Sequence, residues 1–95
     1  MTMPLEGIRV VELALALFGP RASAHLAEYG AEVIKVEHPQ GGDFIRGNLG
    51  GGDLCRISPE AKYHFMFDVL NRNKRSVTLD LTKEKAREIM YKLVD

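Results

Sequence analysis

Charged side chains stand at unusual places in this chain. Asn71-Arg72-Asn73-Lys74-Arg75 sets three cations within five residues, the densest positive cluster available to an anionic ligand. Its plainer reading is a polar turn, with asparagine side chains satisfying nearby backbone groups. Glu12 follows Val10-Val11, and Lys35 interrupts Val33-Ile34-Lys35-Val36. Such charges inside apolar runs suggest either a buried ion pair or exposed strand ends, and both readings stay open. His38 stands just beyond the second apolar run, while His25 and His64 read as structural or solvated. Other chemistries find little support. No His/Cys cluster carries zinc spacing. Asp43 and Asp53, with glycines nearby, lack the spacing of a calcium loop. Neither Gly-x-Gly-x-x-Gly nor Gly-x-x-x-x-Gly-Lys follows the first apolar run, which argues against a nicotinamide-type cofactor and against a phosphate-cradling loop.

The elements that must position these residues can be read from periodicity. Residues 8–13 form a short β-branched run after Gly7, predicted as a buried strand. Residues 14–18 are its exit loop, and Gly19-Pro20 turns the chain into a helix with Pro20 at the first helical position. Ala22, Leu26 and Tyr29 share one face of that helix, and Arg21, His25 and Glu28 another. Gly30 supplies the stop. Residues 32–36 make a second strand, and strand–helix–strand with such short connections predicts a right-handed parallel unit. Residues 38–58 hold six glycines and read as a long functional or mobile loop. Ser58-Pro59 opens a helix whose apolar residues, Tyr63, Phe65, Met66, Phe67, Val69 and Leu70, cover several faces. Residues 76–81 are the third strand. Thr82 caps a last helix with the stripe Ala86, Ile89, Met90 and Leu93. In a parallel α/β sheet the ligand edge lies at the carboxyl ends of the strands. Here that edge comprises residues 14–19, 37–42 and 79–82.

Composition bounds the remaining options. Ninety-five residues suffice for one small domain, whose margin of stability is thin at this size. Acidic and basic residues balance at 13 each, so no positive excess points to nucleic acid or an anionic membrane. The most apolar stretch, residues 10–18, is interrupted by Glu12 and is far shorter than the ~20 residues of a membrane span. Met1-Thr2-Met3-Pro4 lacks the basic start of a secretory signal. The single cysteine, Cys55, can form no internal disulfide and fits a reducing, cytoplasmic setting.

Two linked stretches carry a more specific message. One runs Gly7-Ile8-Arg9-Val10-Val11-Glu12-Leu13, through Gly19-Pro20, to Gly30-Ala31-Glu32-Val33-Ile34-Lys35-Val36-Glu37. The other is Asn71-Arg72-Asn73-Lys74-Arg75-Ser76-Val77-Thr78-Leu79-Asp80-Leu81. Together they resemble the opening of the class III CoA-transferases, a family that includes formyl-CoA transferase, carnitine CoA-transferases and the α-methylacyl-CoA racemases. The resemblance implies an α/β fold: a Rossmann-like layer with a small parallel sheet flanked by helices, forming an incomplete part of a larger domain. Family members are several times longer, so residues 1–95 are read as an N-terminal Rossmann-like segment.

The resemblance also implies roles. The loop after the first strand contacts CoA, which falls on Leu17 and Phe18. The end of the second strand offers an arginine to the nucleotide part of CoA, and His38 occupies that place. A Leu-Asp-Leu-Lys segment lining the groove falls on Leu79, Asp80, Leu81 and Thr82. His38 and Thr82 thus replace two cations, and an imidazole does not reproduce a five-donor guanidinium; Arg46 and Lys83 are the candidates to compensate. In the family, an aspartate attacks an acyl-CoA to give a mixed anhydride and then an aspartyl-CoA thioester; in the racemases a His/Asp pair moves the α-proton. Both sets fall past position 95, so no catalytic residue is assigned here. The expected substrates are CoA thioesters and carboxylic acids, with no tightly bound cofactor. The isolated chain should bind CoA weakly or not at all and turn nothing over. Family dimers interlock as rings; for this chain, self-association through residues 63–70 or the last helix is expected, giving a homo-oligomer. Racemase chemistry and a noncatalytic α/β binding or assembly module remain the alternatives.

Overall fold

The computed structural model describes residues 2–15, 17–43 and 65–95. Strands β1 (Arg9–Glu12), β2 (Glu32–Glu37) and β3 (Lys74–Thr78) alternate with helices α1 (Phe18–Glu28), α2 (Phe65–Asn71) and α3 (Glu84–Val94). The sheet order is β1-β2-β3 and both pairings are parallel. This is the expected small parallel α/β sheet with helices. Cys55, Arg46, His64, Tyr63 and the Ser58-Pro59 helix start lie outside the described residues. Among the described residues, no helix is long and apolar enough to cross a membrane.

The central strand β2 carries the core. Val33, Ile34 and Val36 are buried, joined by Ala24, Ala31, Leu70 and Ala86. A central parallel strand is covered on both faces, so it can be apolar throughout. Yet Lys35 and Glu37 are buried there too. The register explains how. Glu12 pairs with Lys35, and Lys35 with Ser76. Because side chains alternate between faces, Glu12, Lys35, Glu37, Lys74 and Ser76 share one face of the sheet. Residues 11, 34, 36 and 77 share the other.

That polar face dictates how α1 packs. Its buried residues are Pro20, Ser23 and Ala24, not the more apolar face of Ala22, Leu26 and Tyr29; Leu26 and Tyr29 are 37% and 56% exposed. The layer beneath is charged, so a stripe of small and polar residues fits where bulky apolar ones would not. The helix also starts earlier than expected, at Phe18, which puts Pro20 at the third helical position. Its missing N–H is still harmless there, because the first four helical N–H groups have no intrahelical partner. A Cβ on Gly19 would overlap the Cβ of Ala14, so glycine lets the helix start close against the β1 exit. Gly30 ends the α1 turn at φ 106°, as its left-handed position requires. Arg21, His25 and Glu28 do share a face: Arg21 Nε meets His25 Nε2 at 3.3 Å and His25 Nδ1 lies 3.6 Å from Glu28.

Two boundaries differ at the other end. β3 begins at Lys74 and ends at Thr78, earlier than the expected 76–81. Asn73, at φ 65°, turns the chain from α2 into the strand within two residues, a left-handed position that asparagine tolerates. Leu79 N–H still donates to Glu37 O at 3.0 Å, and then the chain turns. Thr82 is not the helix cap. Its hydroxyl and N–H both donate to Asp80 Oδ1, at 2.6 and 3.1 Å, and Lys83 occupies the cap position without a side-chain bond. The aspartate captures the donors because an Asx-type turn competes locally with helix capping. On α3, Ala86 is buried, Met90 and Leu93 are half-buried, and Ile89 is 45% exposed.

Candidate functional site

Three parallel strands place their carboxyl ends on one edge, and a cavity of about 240 Å³ opens there. Leu13, Leu15, Val36, Glu37, His38, Leu79 and Leu81 line it. The expected site residues His38, Leu79 and Leu81 therefore come together. Asp80 and Thr82 are joined to each other, and Asp80 Oδ1 lies 3.8 Å from His38 Nε2. Leu17 and Phe18 do not line this cavity. They sit at the start of α1, 45% and 91% exposed. Leu15 belongs to the 14–19 stretch expected at this edge; Leu13, one residue before it, was not foreseen. A larger cavity, about 420 Å³, lies at the amino ends of the strands, between Arg9, Glu32 and Val94. Strand polarity favours the smaller one as a ligand site.

His38 is fixed by its own loop. Its Nδ1 accepts the Gln40 N–H at 3.0 Å, which leaves the imidazole proton on Nε2, the nitrogen facing Asp80. Hydrogen bonds from the Thr82 hydroxyl, then from its N–H, hold the Asp80 carboxyl below its ordinary value of 3.8, with smaller help from His38 and Lys83. The edge thus offers an apolar wall, the His38 N–H as a donor and the Asp80 carboxylate beside it.

Beneath this edge lies a buried network of charges. Lys35 Nζ sits 3.2 Å from Glu12 and 2.9 Å from Asp43. Lys74 Nζ reaches both Glu12 oxygens, at 2.9 and 3.1 Å, the Pro20 carbonyl and Asn71 Oδ1. Ser23 Oγ donates to Glu12 as well. All four charged side chains are at most 2% exposed. The buried-pair reading of Glu12 and Lys35 is therefore the right one. Burial pushes the Lys74 ammonium below its ordinary 10.5, against the pull of Glu12.

The cluster Arg72, Lys74 and Arg75 does not form an anion site. Lys74 turns inward, Arg72 pairs with Glu28, and Arg75 lies 3.2 Å from Glu32. All three sit at the amino end of β3, away from the ligand edge. The Arg72 guanidinium lowers the Glu28 carboxyl below 4.5. Among the described residues, no group of three or more His, Cys, Asp or Glu side chains could hold a metal ion.

The sequence pattern that defines CoA-transferase family III matches residues 5–95. A formyl-CoA:oxalate CoA-transferase from Rhodopseudomonas palustris is 39% identical over 94 residues, covering 99% of this chain and 20% of that protein. The alpha subunit of a succinyl-CoA–L-malate CoA-transferase from Chloroflexus aurantiacus is 39% identical over 92 residues, 97% of this chain and 20% of that one. The crystal structure of a hypothetical protein from Mycobacterium tuberculosis superposes with a TM-score of 0.76 at 40% identity, over 99% of this chain and 23% of its own. The chain thus spans about a fifth of the length of these curated relatives.

Proposed function

The chain belongs to CoA-transferase family III, and we propose that residues 1–95 form an N-terminal segment carrying one wall of a coenzyme A groove. The complete protein would move CoA between two carboxylic acids. An aspartate beyond position 95 would attack the acyl-CoA carbonyl, releasing CoA thiolate and forming a mixed anhydride. The thiolate would then attack the aspartyl carbonyl, giving an aspartyl-CoA thioester and the free first acid. The acceptor carboxylate would attack that thioester, expelling CoA thiolate and forming a second mixed anhydride; the thiolate would then attack the acceptor's carbonyl, giving the acceptor's CoA thioester and restoring the aspartate. The protein would work in the cytoplasm as a homodimer.

One observation carries this reading: His38, Leu79 and Leu81 meet at the carboxyl edge of a family III sheet. The apolar wall suits the pantetheine arm, and the His38 N–H and the Thr82 region face the polar end. Leu17 and Phe18, exposed at the start of α1, would contact the ligand from the side. His38 and Thr82 supply less positive charge than the arginine and lysine they replace.

Restoring those charges tests the proposal. A charge-assisted hydrogen bond contributes about 1.5–3 kcal/mol. The double variant His38→Arg with Thr82→Lys should therefore bind coenzyme A at least about tenfold more tightly. Titration calorimetry would read the change. Equal affinity in the variant and the parent would remove this edge from the groove.

A further inference from the structure

The loop that leaves β2 makes a closed excursion and returns beneath the sheet. Residues 38–43 are short, and Gly41 and Gly42, at φ 89° and 62°, turn the backbone where side-chain-bearing residues would be strained. Gly42 N–H donates to the His38 carbonyl at 3.1 Å. Asp43 N–H donates to Glu37 Oε1 at 3.1 Å, and the same carboxylate takes the Ser76 hydroxyl on its other oxygen at 2.6 Å. The Asp43 side chain then passes under the sheet to meet Lys35 Nζ at 2.9 Å, with no exposure to solvent. Lys35 is itself anchored by Glu12 and by the Ala14 carbonyl. A carboxylate on a surface loop gains little from an ion pair. One buried completely against an ammonium is held firmly, because release of either partner strands the other.

The upper side of this loop is His38. Its Nδ1 bond to Gln40 N–H lies inside the span that the Gly42–His38 bond and Asp43 close. We propose that Asp43 is a positioning residue: its buried ion pair with Lys35 closes the 38–43 loop and thereby fixes the tautomer and placement of His38 at the ligand edge. That this edge receives coenzyme A rests on the function proposed above; the latch itself does not. Glu12, itself held by Lys74, binds Lys35 from the far side, so the latch is tied to the first and third strands as well.

The test reads His38 before any ligand is added. In the parent chain labelled with nitrogen-15 histidine, in alkaline buffer, His38 should show a proton-bearing Nε2 and an accepting Nδ1. Asp43→Ala should average the two tautomers. Asp43→Asn, which keeps shape and loses charge, and Lys35→Met should shift them the same way, and either serves if Asp43→Ala does not fold. Val33→Ala is the control, a core truncation outside the latch that lowers stability without touching the loop. An unchanged His38 signature in folded Asp43 variants would overturn the proposal, as would an equal change in Val33→Ala. In the second arm, coenzyme A is titrated. If Asp43→Ala leaves the loop closed a tenth of the time, apparent affinity falls about tenfold. A responding tautomer in a parent chain that binds no coenzyme A would keep the latch and overturn the groove.

Discussion

Neutralising Glu12 should be among the most damaging single changes in this protein, although Gln is nearly the same size. Glu12 faces Lys74 at 2.9 Å and Lys35 at 3.2 Å. At an effective dielectric of about 20, a unit pair 2.9 Å apart attracts by about 6 kcal/mol. Desolvation offsets much of that, and measured losses on breaking a buried pair are about 3–5 kcal/mol. Lys74 would suffer most, because Lys35 keeps Asp43 while Lys74 is left bonded to the uncharged Pro20 carbonyl and Asn71 Oδ1. A domain of this length is stable by roughly 5–14 kcal/mol, so Glu12→Gln should remove a large part of the total. Removing both partners should hurt less than the singles suggest. Glu12→Leu with Lys74→Met leaves the Lys35–Asp43 pair intact and strands neither charge, so the double variant should fall short of the summed single losses by about 2 kcal/mol or more. Urea unfolding of the parent, both singles and the double, in a stabilising osmolyte if needed, completes the cycle. Losses that add to within about 0.5 kcal/mol would refute the argument that these charges act as a unit.

Three further outcomes follow from particular contacts. Gly19→Ala gains about 1 kcal/mol of helix propensity, but its Cβ overlaps Ala14; overpacking costs about 1–3 kcal/mol, so the urea midpoint should fall, and a rise would mean the contact yields easily. Thr82→Val removes the largest bond that lowers Asp80, so the carboxyl should titrate closer to 3.8 in carbon-detected NMR. The stability Asp80 contributes is present above 3.8 and is lost as pH falls through its lowered folded value, so that loss should begin at higher pH in the variant; an unmoved titration would assign the shift elsewhere. Sedimentation should reveal self-association at high micromolar concentration through α3, where Ile89, Tyr91 and Val94 are exposed; Ile89→Asp should abolish it with circular dichroism retained, and a parent that stays monomeric would dismiss the contact.

The alternation of strands and helices and the parallel sheet were legible because β-branched runs, Gly30 and the short connections all agree. The inner face of α1 was not. Amphipathicity favours Leu26 and Tyr29, whereas the neighbour in space is Glu12 with its two lysines, which selects Ser23 and Ala24. The signal existed, since Glu12, Lys35 and Glu37 occupy alternating positions inside apolar strands. Lys74 was hidden for a different reason. Among Arg72, Asn73 and Arg75 it looks like one more surface cation, and only the Asn73 turn and the register of β3 point it inward. Asp43 sat in a glycine-rich loop that carries no periodicity, so its return beneath β2 left no local trace. At the ligand edge, the motif resemblance supplied His38, Leu79 and Leu81. Leu15 fell within the expected edge, and Leu13 required knowing that β1 ends at Glu12.

The groove itself is tested most directly by mapping coenzyme A on the chain, residue by residue. Nitrogen-15-labelled protein titrated with coenzyme A into the millimolar range should show saturable shifts at Leu17, Phe18, His38, Leu79, Asp80, Leu81 and Thr82, with affinity weaker than micromolar. No shifts at any concentration, or shifts gathered around Gly7, Arg9, Gly30, Glu32 and Val94 at the opposite end of the sheet, would contradict the account.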